Sequence, residues 1–352
     1  MRCMIEKEYF HALNGWRFIF SLLIVVFHMP ETWKQVIKHY EFGNTIVLFF
    51  FILSGFLLTL GYKDKIVNGE IKYKYFVAKR VATIFPLQWL MTLLFALFGV
   101  NLITYWAIPF HLTLTQSLNP FWYINFSLNV PTWFLSSIFI CYLLTPLVLK
   151  IFAKKRTNFL LFFIIVIALW NIFIFMLPES IGTRWLCYIN PSARFIDFSA
   201  GILLALYWSE VKDLFKILSF NNILATVLEF VILGTIFFFF TNEQIQRFNN
   251  YTVLRYPTMM LFIIIFALSS GGLSKILSNK YFQKLGDLAI AIYMCHSFIL
   301  HFTLMIDANN VALNIVATLI LTLTLAYILA HYYCPFTQKL ILNLFASKIN
   351  NV

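Results

Sequence analysis

Residues 44–62 read NTIVLFFFILSGFLLTLGY and contain no charged side chain. An apolar stretch of about 18 or more residues is long enough, as a helix, to cross roughly 30 Å of hydrocarbon. Similar stretches recur along the whole chain, which is 61% hydrophobic and only 11% charged, with a mean hydropathy of +0.83. This composition lies far outside that of a water-soluble domain. We therefore predict an integral membrane protein with no soluble domain.

The apolar stretches predict an all-α polytopic bundle of about ten transmembrane helices. We expect one domain over residues 1–352, ending in a short cytoplasmic tail at 334–352. No small-residue cleavage site follows the first stretch, which carries Asn14 and Arg17 in its early turns, so we expect it to be a retained span rather than a signal peptide. The predicted spans are 10–29, 44–62, 81–99, 133–149, 157–177, 192–209, 222–240, 253–270, 287–306 and 311–333.

The net charge of +12 is explained by topology rather than by nucleic-acid binding. The predicted spans leave a minority of the basic residues on one side, namely Lys34, Lys38, Arg184, Arg194, Arg247 and Arg255, with Arg17 inside the first span. The opposite side collects Arg2, Lys7, Lys63, Lys65, Lys72, Lys74, Lys79, Arg80, Lys150, Lys154, Lys155, Arg156, Lys212, Lys216, Lys275, Lys280, Lys284, Lys339 and Lys348. Because positive charge accumulates on the cytoplasmic side, we predict that both termini are cytoplasmic.

The cysteines do not predict a cross-link or a metal site. They have no paired spacing, and most fall within or near apolar stretches, so neither a disulfide framework nor a zinc site is indicated. The set is Cys3, Cys141, Cys187, Cys295 and Cys334. We expect no metal in this protein.

Arg17 and His28 are the most informative polar residues, because a titratable side chain inside a span costs roughly 2.5 kcal/mol or more. They are 11 residues apart, and at about 100° per residue this separation places both on one helix face, roughly 16 Å apart along the axis. A histidine can take a proton from a hydroxyl near neutral pH, and an arginine can bind an anion. Alternatively, Arg17 extends to the headgroups and His28 lies at the interface.

Other residues in or near the spans suggest either packing or binding. Ser54 and Gly55 interrupt a bulky apolar run and allow close approach of a helix or a substrate. Lys79 and Arg80 precede Pro86 and could hold phosphate groups or serve as membrane anchors. Arg194 and Asp197 are spaced to pair on one helix, and Tyr293 and His296 lie in the ninth span. Glu229 lies in the seventh span and has no obvious sequence partner. Residues 110–118 are too short to span the membrane and are typical of a re-entrant or interfacial segment.

In their order along the chain, these residues resemble the motifs of the acyltransferase 3 family of membrane O-acyltransferases, which includes the bacterial O-antigen and exopolysaccharide acetylases. The resemblance runs over most of the chain. It rests on six elements: Leu13–Phe18 followed by His28; Phe50–Leu57; Lys79-Arg80 with Ile84 and Pro86; Trp133-Phe134-Leu135-Ser136 with Tyr142 and Pro146; Pro191, Arg194-Phe195, Asp197-Phe198 and Gly201; and Tyr293 with His296.

Two positions depart from the family pattern. Thr83 stands where many members carry a second arginine, and Ile138 stands where many carry a glutamate. The first departure bears on anion binding. The second leaves open which group accompanies His28.

The resemblance implies a membrane O-acetyltransferase of the bacterial inner membrane that transfers acetyl from acetyl-CoA to a carbohydrate, with His28 as base and Arg17 in its catalytic site. It also implies acyl-donor binding by Arg80, Lys79, Ser54 and Gly55, and an acceptor or structural site at Trp133, Ser136, Arg194, Asp197, Tyr293 and His296. Two alternatives remain at this stage: a transporter or flippase, and a catalytically inactive partner subunit. The acceptor, the oligomeric state, and the choice between direct transfer and an acyl-enzyme on Ser54, Ser136 or a histidine are left open by the sequence.

Overall fold

The computed structural model describes residues 4–5, 8–30, 33, 43–98, 105–177, 185–241, 254–268, 270–305 and 310–349. Six of the basic residues placed on the charge map, together with Cys3, lie outside this part of the chain: Arg2, Lys7, Lys34, Lys38, Arg184 and Arg247. The described part is helical apart from short connections and one small antiparallel pair, β1 (Met4–Ile5) with β2 (Glu8–Tyr9). The predicted all-α class is thus confirmed.

The helices follow one another with short connections. They are α1 His11–His28, α2 Gly43–Val67, α3 Tyr73–Leu97, α4 Ile108–Thr113, α5 Trp122–Asn125, α6 Trp133–Phe152, α7 Arg156–Phe175, α8 Pro191–Leu206, α9 Trp208–Leu214, α10 Asn222–Thr241, α11 Arg255–Leu268, α12 Gly272–Leu277, α13 Lys280–Asp287, α14 Ala289–Thr303, α15 Val311–Ile328 and α16 Cys334–Ile349. Single 3-10 turns lie at Tyr105–Ala107, Gln116–Leu118, Val130–Thr132 and Lys216–Ser219, and π-helical turns at Trp185–Ile189 and Leu329–Tyr333.

Within the described residues, six helical segments are long and apolar enough to cross a membrane: α1, α2, α3, Val130–Phe152, α7 and Val311–Phe345. A seventh span is formed if α13 and α14, which meet at a bend of 58°, count as one. The predicted spans at 192–209, 222–240 and 253–270 coincide with shorter helices: α8, Asn222–Phe238 and Arg255–Leu268. The chain is therefore a multi-pass membrane protein, and a described helix lies within each predicted span, although fewer than ten of these helices are long enough to cross a membrane alone.

The last span continues beyond the boundary expected at residue 334. A π-helical turn at Leu329–Tyr333 joins α15 to α16, so that the helix runs on to Ile349. The Tyr333 hydroxyl donates to the carbonyl of Pro86 at 2.9 Å, which fixes this turn against the middle of α3. Residues 334–349 are therefore a helix packed on the bundle.

The closest helix contact is between α2 and α8, and two glycines make it possible. A Cβ added to Gly55 would lie 2.1 Å from the carbonyl oxygen of Phe198, and one added to Gly201 would lie 2.0 Å from that of Ile52. Helix association in lipid depends on close van der Waals packing, because lipid tails are as apolar as leucine side chains. Gly55 therefore holds α2 against α8.

Glu229 has a partner that the sequence did not reveal. Its buried carboxylate accepts hydrogen bonds from the backbone N–H groups of Leu273 at 2.9 Å and Ser274 at 3.1 Å, in the first turn of α12. A carboxylate is stabilised at the N-terminus of a helix by the exposed N–H groups there. Glu229 thus joins α10 to α12.

We expect Gly55→Ala and Gly201→Ala each to destabilise the protein by about 1–3 kcal/mol, because overpacking forces the two helices apart. Reversible unfolding of the detergent-solubilised protein by sodium dodecyl sulfate measures this change. Gly234→Ala is the matched control, since Gly234 is also helical but nothing lies within 4 Å of an added Cβ. Equal stability of the Gly55→Ala and Gly234→Ala variants would contradict the packing role of Gly55.

Candidate active site

A cavity opens among α1, α2, α3, α6 and α14, and its empty space, counted together with the solvent at its mouth, is about 820 Å³. Most of its wall is apolar, but two guanidinium groups, those of Arg17 and Arg80, reach it from different helices. The complete lining is Arg17, Phe50, Leu53, Ser54, Leu57, Arg80, Thr83, Ile84, Phe134, Leu135, Ile138, Tyr142, Ala289, Ile290 and Tyr293. A mostly apolar wall with a few convergent polar groups is typical of a small-molecule site.

Arg17 is held in this wall by a relay of hydrogen bonds that begins on α13. Its Nη1 donates to Asn14 Oδ1 at 2.8 Å, and Asn14 Nδ2 donates to the main-chain oxygen of Gln283 at 3.0 Å. The Gln283 side chain in turn donates to the carbonyls of His11 at 2.7 Å and Leu277 at 2.9 Å. Asn14 lies one turn before Arg17, so this bond turns the guanidinium toward the start of α1 and away from His28.

Gly286 allows α13 to reach this relay. A Cβ added there would lie 2.2 Å from the carbonyl oxygen of Asn14. The first turns of α1 therefore pack directly on the backbone of α13. Because α13 leads into α14, the same contact sets the position of α14 relative to α1.

Arg80 is buried against aromatic rings on the other side of the cavity. Its Nη2 donates to the Tyr62 hydroxyl at 2.9 Å. Its Cζ lies 5.2 Å from the ring centre of Tyr62, 5.6 Å from that of Phe76 and 5.8 Å from that of Tyr142. Such contacts hold a guanidinium in a low-dielectric site while leaving it charged. Lys79 lies elsewhere, 4.8 Å from the centre of the Tyr75 ring, and is not among the described residues that line the cavity.

His28 forms a pair with His296, which lies 268 residues later in the chain. His296 Nε2 is 3.3 Å from His28 Nδ1. The ring of His296 is fully buried, and His28 is half-buried. Tyr293, one turn before His296 on α14, lines the cavity, and its ring centre lies 6.0 Å from that of His296. The pair therefore lies behind Tyr293, and neither histidine is among the described residues that line the cavity.

The main-chain contacts of the pair assign its protons. His296 Nδ1 faces the carbonyl of Ile292 at 3.2 Å, and His28 Nδ1 faces that of Ile24 at 2.9 Å. Because a carbonyl can only accept, both Nδ1 atoms carry hydrogen. The single Nδ1–H of His28 is then shared between the Ile24 carbonyl at 2.9 Å and the unprotonated Nε2 of His296 at 3.3 Å. This tautomer leaves Nε2 of His28 deprotonated and able to act as a base.

Apart from Ser54, the remaining predicted site residues are not among the described residues that line the cavity. Ser136 donates to the Leu114 carbonyl at 2.8 Å and lies 2.7 Å from the Ser117 hydroxyl, so it fixes the 105–132 segment to α6. The ring of Trp133 packs on Tyr188 at 4.7 Å between ring centres. Of the candidate acyl-donor residues on α2, Ser54 lines the cavity, whereas Gly55 makes the helix contact described above.

Arg194 and Asp197 form the predicted ion pair, at 2.8 Å between Nη1 and Oδ2. The structure adds Arg255 of α11, whose Nη2 lies 2.8 Å from the other oxygen of Asp197. All three side chains are buried or nearly so, with 3%, 0% and 16% exposure for Arg194, Asp197 and Arg255. This cluster joins α8 to α11 and is separate from the described lining of the cavity.

Both departures from the family pattern lie in the cavity wall. The Thr83 hydroxyl donates to the carbonyl of Lys79 at 2.8 Å, within its own helix, and Ile138 contributes an apolar side chain. The cavity thus receives two cations, from Arg17 and Arg80, and Ile138 places no carboxylate there.

Comparison with known protein families matches residues 10–331 to an acyltransferase domain, that of the acyltransferase 3 family. The chain belongs to this family. No curated protein and no solved structure matches it. Membership identifies the protein as a membrane acyltransferase, and the cavity with its adjoining histidine pair is its candidate active site.

Some residues of this acyltransferase site could not be recognised in the sequence. The contact between Asn14 and Arg17 could have been predicted from the sequence, because a position three residues before Arg17 lies on the same helix face. The partners of His28 and Arg80 could not be predicted in this way, because His296 and Tyr62 come from other helices. No spacing rule connects Gln283 of α13 to Arg17 of α1.

We expect His296→Leu to lower the rate of acyl transfer by about tenfold or more, because His28 loses the hydrogen bond that orients its ring, and about 1.4 kcal/mol corresponds to a factor of ten. The turnover number of the purified protein measures the effect. His331→Leu is the control: His331 is exposed and stacks only on Tyr327, so we expect its turnover to be unchanged. Equal activity of the two variants would exclude a role for the histidine pair.

Proposed function

We propose that this acyltransferase is an O-acetyltransferase that moves acetyl from acetyl-CoA to a hydroxyl of a carbohydrate, such as a cell-surface polysaccharide or its lipid-linked precursor, in the bacterial cytoplasmic membrane. The observation that carries the proposal is the arrangement of the cavity: Arg17 and Arg80 reach one apolar cavity, and the His28–His296 pair lies behind Tyr293 of its wall. Family membership supports acyl transfer as the chemistry.

Acetyl-CoA fits the polarity of this cavity. Its phosphates are anionic, and a guanidinium recognises phosphate through paired N–H donors. Its pantetheine arm is long, flexible and mostly uncharged, which suits the apolar wall formed by residues such as Leu53, Leu57 and Ile84. The donor would therefore place its phosphates near Arg17 and Arg80 and extend its thioester toward Tyr293.

His28 would act as the general base. Nε2 takes the proton from the acceptor hydroxyl, the oxygen attacks the thioester carbonyl, and the carbon–sulfur bond breaks as the CoA thiolate leaves. The thiolate then takes this proton from His28. Because His296 accepts the hydrogen bond from Nδ1 of His28, it stabilises the protonated ring during transfer and takes the place of the carboxylate missing at Ile138.

We assign Arg17 to donor binding rather than to stabilisation of the oxyanion. It lies roughly 16 Å from His28 along α1, and its bond to Asn14 turns it farther away. An oxyanion donor must lie about 3 Å from the oxygen on which charge develops, next to the base. A single carbonyl cannot be within reach of both side chains.

The decisive experiment is acetylation of a host glycan by the wild-type protein and by His28→Ala, with equal membrane insertion of both. We expect His28→Ala to lose about 10²–10⁴-fold in turnover, because general base catalysis contributes that much. Mass spectrometry of cell-surface glycans, with and without the gene, identifies the acceptor. Full acetylation by the variant would reject His28 as base, and solute uptake independent of CoA would favour a transporter.

Donor binding is tested separately at α3. We expect Arg80→Ala to raise the KM for acetyl-CoA by roughly 10- to 100-fold, the value of a hydrogen bond between charged groups. Lys79→Ala is the control, with an expected change of less than about twofold.

Tyr62→Phe separates binding from support of the fold in this experiment. It removes the hydrogen bond between Tyr62 and Arg80 but keeps the guanidinium. We expect its KM to stay closer to that of the wild type than to that of Arg80→Ala. A KM for Arg80→Ala equal to that of Lys79→Ala would exclude donor binding by Arg80.

A further inference from the structure

The stretch between α3 and α6 has an unusual composition. From Val81 to Leu149 the chain contains no Asp, Glu, Lys or Arg, and this interval includes the whole 105–132 segment. About a quarter of the residues in an average soluble domain are charged. A connection that lies in water rarely lacks charge over such a length.

The 105–132 segment is also folded with its polar side chains inside. Gln116, Ser117, Asn125, Asn129 and Thr132 each have no exposed surface. Some of their hydrogen bonds lie within the segment, such as that from Gln116 Nε2 to the Thr132 carbonyl at 3.0 Å, and others reach the bundle, such as that from Asn129 Nδ2 to the Met294 carbonyl at 2.8 Å. The amide oxygens of Gln116, Asn125 and Asn129 are buried without a hydrogen-bond partner among the described residues. In lipid, a backbone that is not a regular helix is tolerated only where it is buried in protein or lines a water-filled cavity.

His111 completes this buried network without adding charge. Its Nε2 lies 3.0 Å from the Ile124 carbonyl and 3.3 Å from the Ser127 hydroxyl, and its Nδ1 lies 3.4 Å from the Thr132 hydroxyl. Burial lowers the pKa of His111 to about 4, although the hydrogen bond to Ile124 raises it in part. The ring is therefore neutral at physiological pH.

The outward surface of the segment is apolar and aromatic, in contrast to its polar interior. Its exposed large side chains are Tyr105, Trp106, Leu112, Leu118, Phe121, Trp122, Tyr123 and Phe126. Trp106 is 81% exposed and Trp122 is 56% exposed. Thr113 is exposed as well, but its hydroxyl is bonded within the same turn to Pro109 at 2.7 Å.

This aromatic surface continues the lipid-facing side of α3. Trp89, Leu93 and Leu97 are exposed along that helix, at 42%, 54% and 70%. The indole of Trp89 donates to the carbonyl of Leu112 at 2.9 Å, which joins the two surfaces. One apolar face therefore runs from the span onto the segment.

We propose that the 105–132 segment lies in the membrane interface, with its aromatic surface in contact with lipid rather than water. Trp and Tyr are enriched at this depth because their rings are apolar and their N–H and O–H groups are polar. A carbohydrate surface would need free hydrogen-bonding groups beside the rings, because each buried sugar hydroxyl must be paired. Here most polar side chains between Gln116 and Thr132 are buried in the protein, and the half-exposed Asn119 uses its Oδ1 to accept a hydrogen bond from the backbone N–H of Phe121 at 2.9 Å.

The experiment uses the full chain reconstituted in phospholipid vesicles that contain lipids brominated along their acyl chains. Bromine quenches tryptophan only on contact, so the difference in emission between the wild type and Trp106→Phe/Trp122→Phe reports on these two residues. We expect most of this difference emission to be lost in brominated vesicles and to resist quenching by aqueous iodide. Trp208→Phe is the control, because Trp208 is 4% exposed and packs on Phe10 and Phe56.

Two results would overturn the proposal. Quenching of the Trp106 and Trp122 emission by iodide, with no effect of bromine, would place the segment in water. Protection of the same emission from iodide by a soluble oligosaccharide would make it a glycan surface. Neither result depends on acyl transfer, so the proposal can fail while the proposed function stands.

Discussion

In the hydrocarbon of a membrane, a polar group has no water to bond with, and each one must find its partner inside the protein. This constraint accounts for most of the specific contacts in the structure. Glu229 accepts from the first amides of α12, Asp197 lies between two arginines, and Arg17 reaches Asn14. Each of these contacts joins two helices or fixes a side chain, whereas apolar packing alone would allow a helix to rotate or slide against its neighbour. The few buried polar side chains thus determine how the apolar helices are arranged.

The need of buried polar groups for partners inside the protein also orders the side chains of the candidate active site. The histidine pair is ordered because both Nδ1 atoms are bonded to carbonyls of their own helices, which leaves one acceptor nitrogen facing the partner and one base nitrogen on His28. The relay from Gln283 to Arg17 joins α13 to α1, and α13 leads directly into the helix that carries His296. The cation end and the base end of the site are therefore set by one set of contacts between the same helices.

The departures from the family pattern show how such a site tolerates substitution. Where many relatives resembling this chain carry a second arginine, Thr83 bonds to its own helix and leaves the cavity with two cations, from Arg17 and Arg80. Where many carry a glutamate, Ile138 leaves the wall apolar, and His296 supplies the hydrogen-bond acceptor that His28 needs. The histidine pair is thus built between two helices without a carboxylate from Ile138 of α6.

The sequence by itself determined the membrane, the approximate position of the long apolar helices, and the common face of Arg17 and His28, because these depend on hydropathy and on the fixed turn of a helix. It also predicted the pairing of Arg194 with Asp197, which are neighbours on one helix. Only the tertiary structure decided that His296 is the partner of His28 and that the polar side of the 105–132 segment faces inward. Those contacts depend on how helices cross and rotate against one another, and in an apolar chain nearly every rotation satisfies the hydropathy pattern equally well.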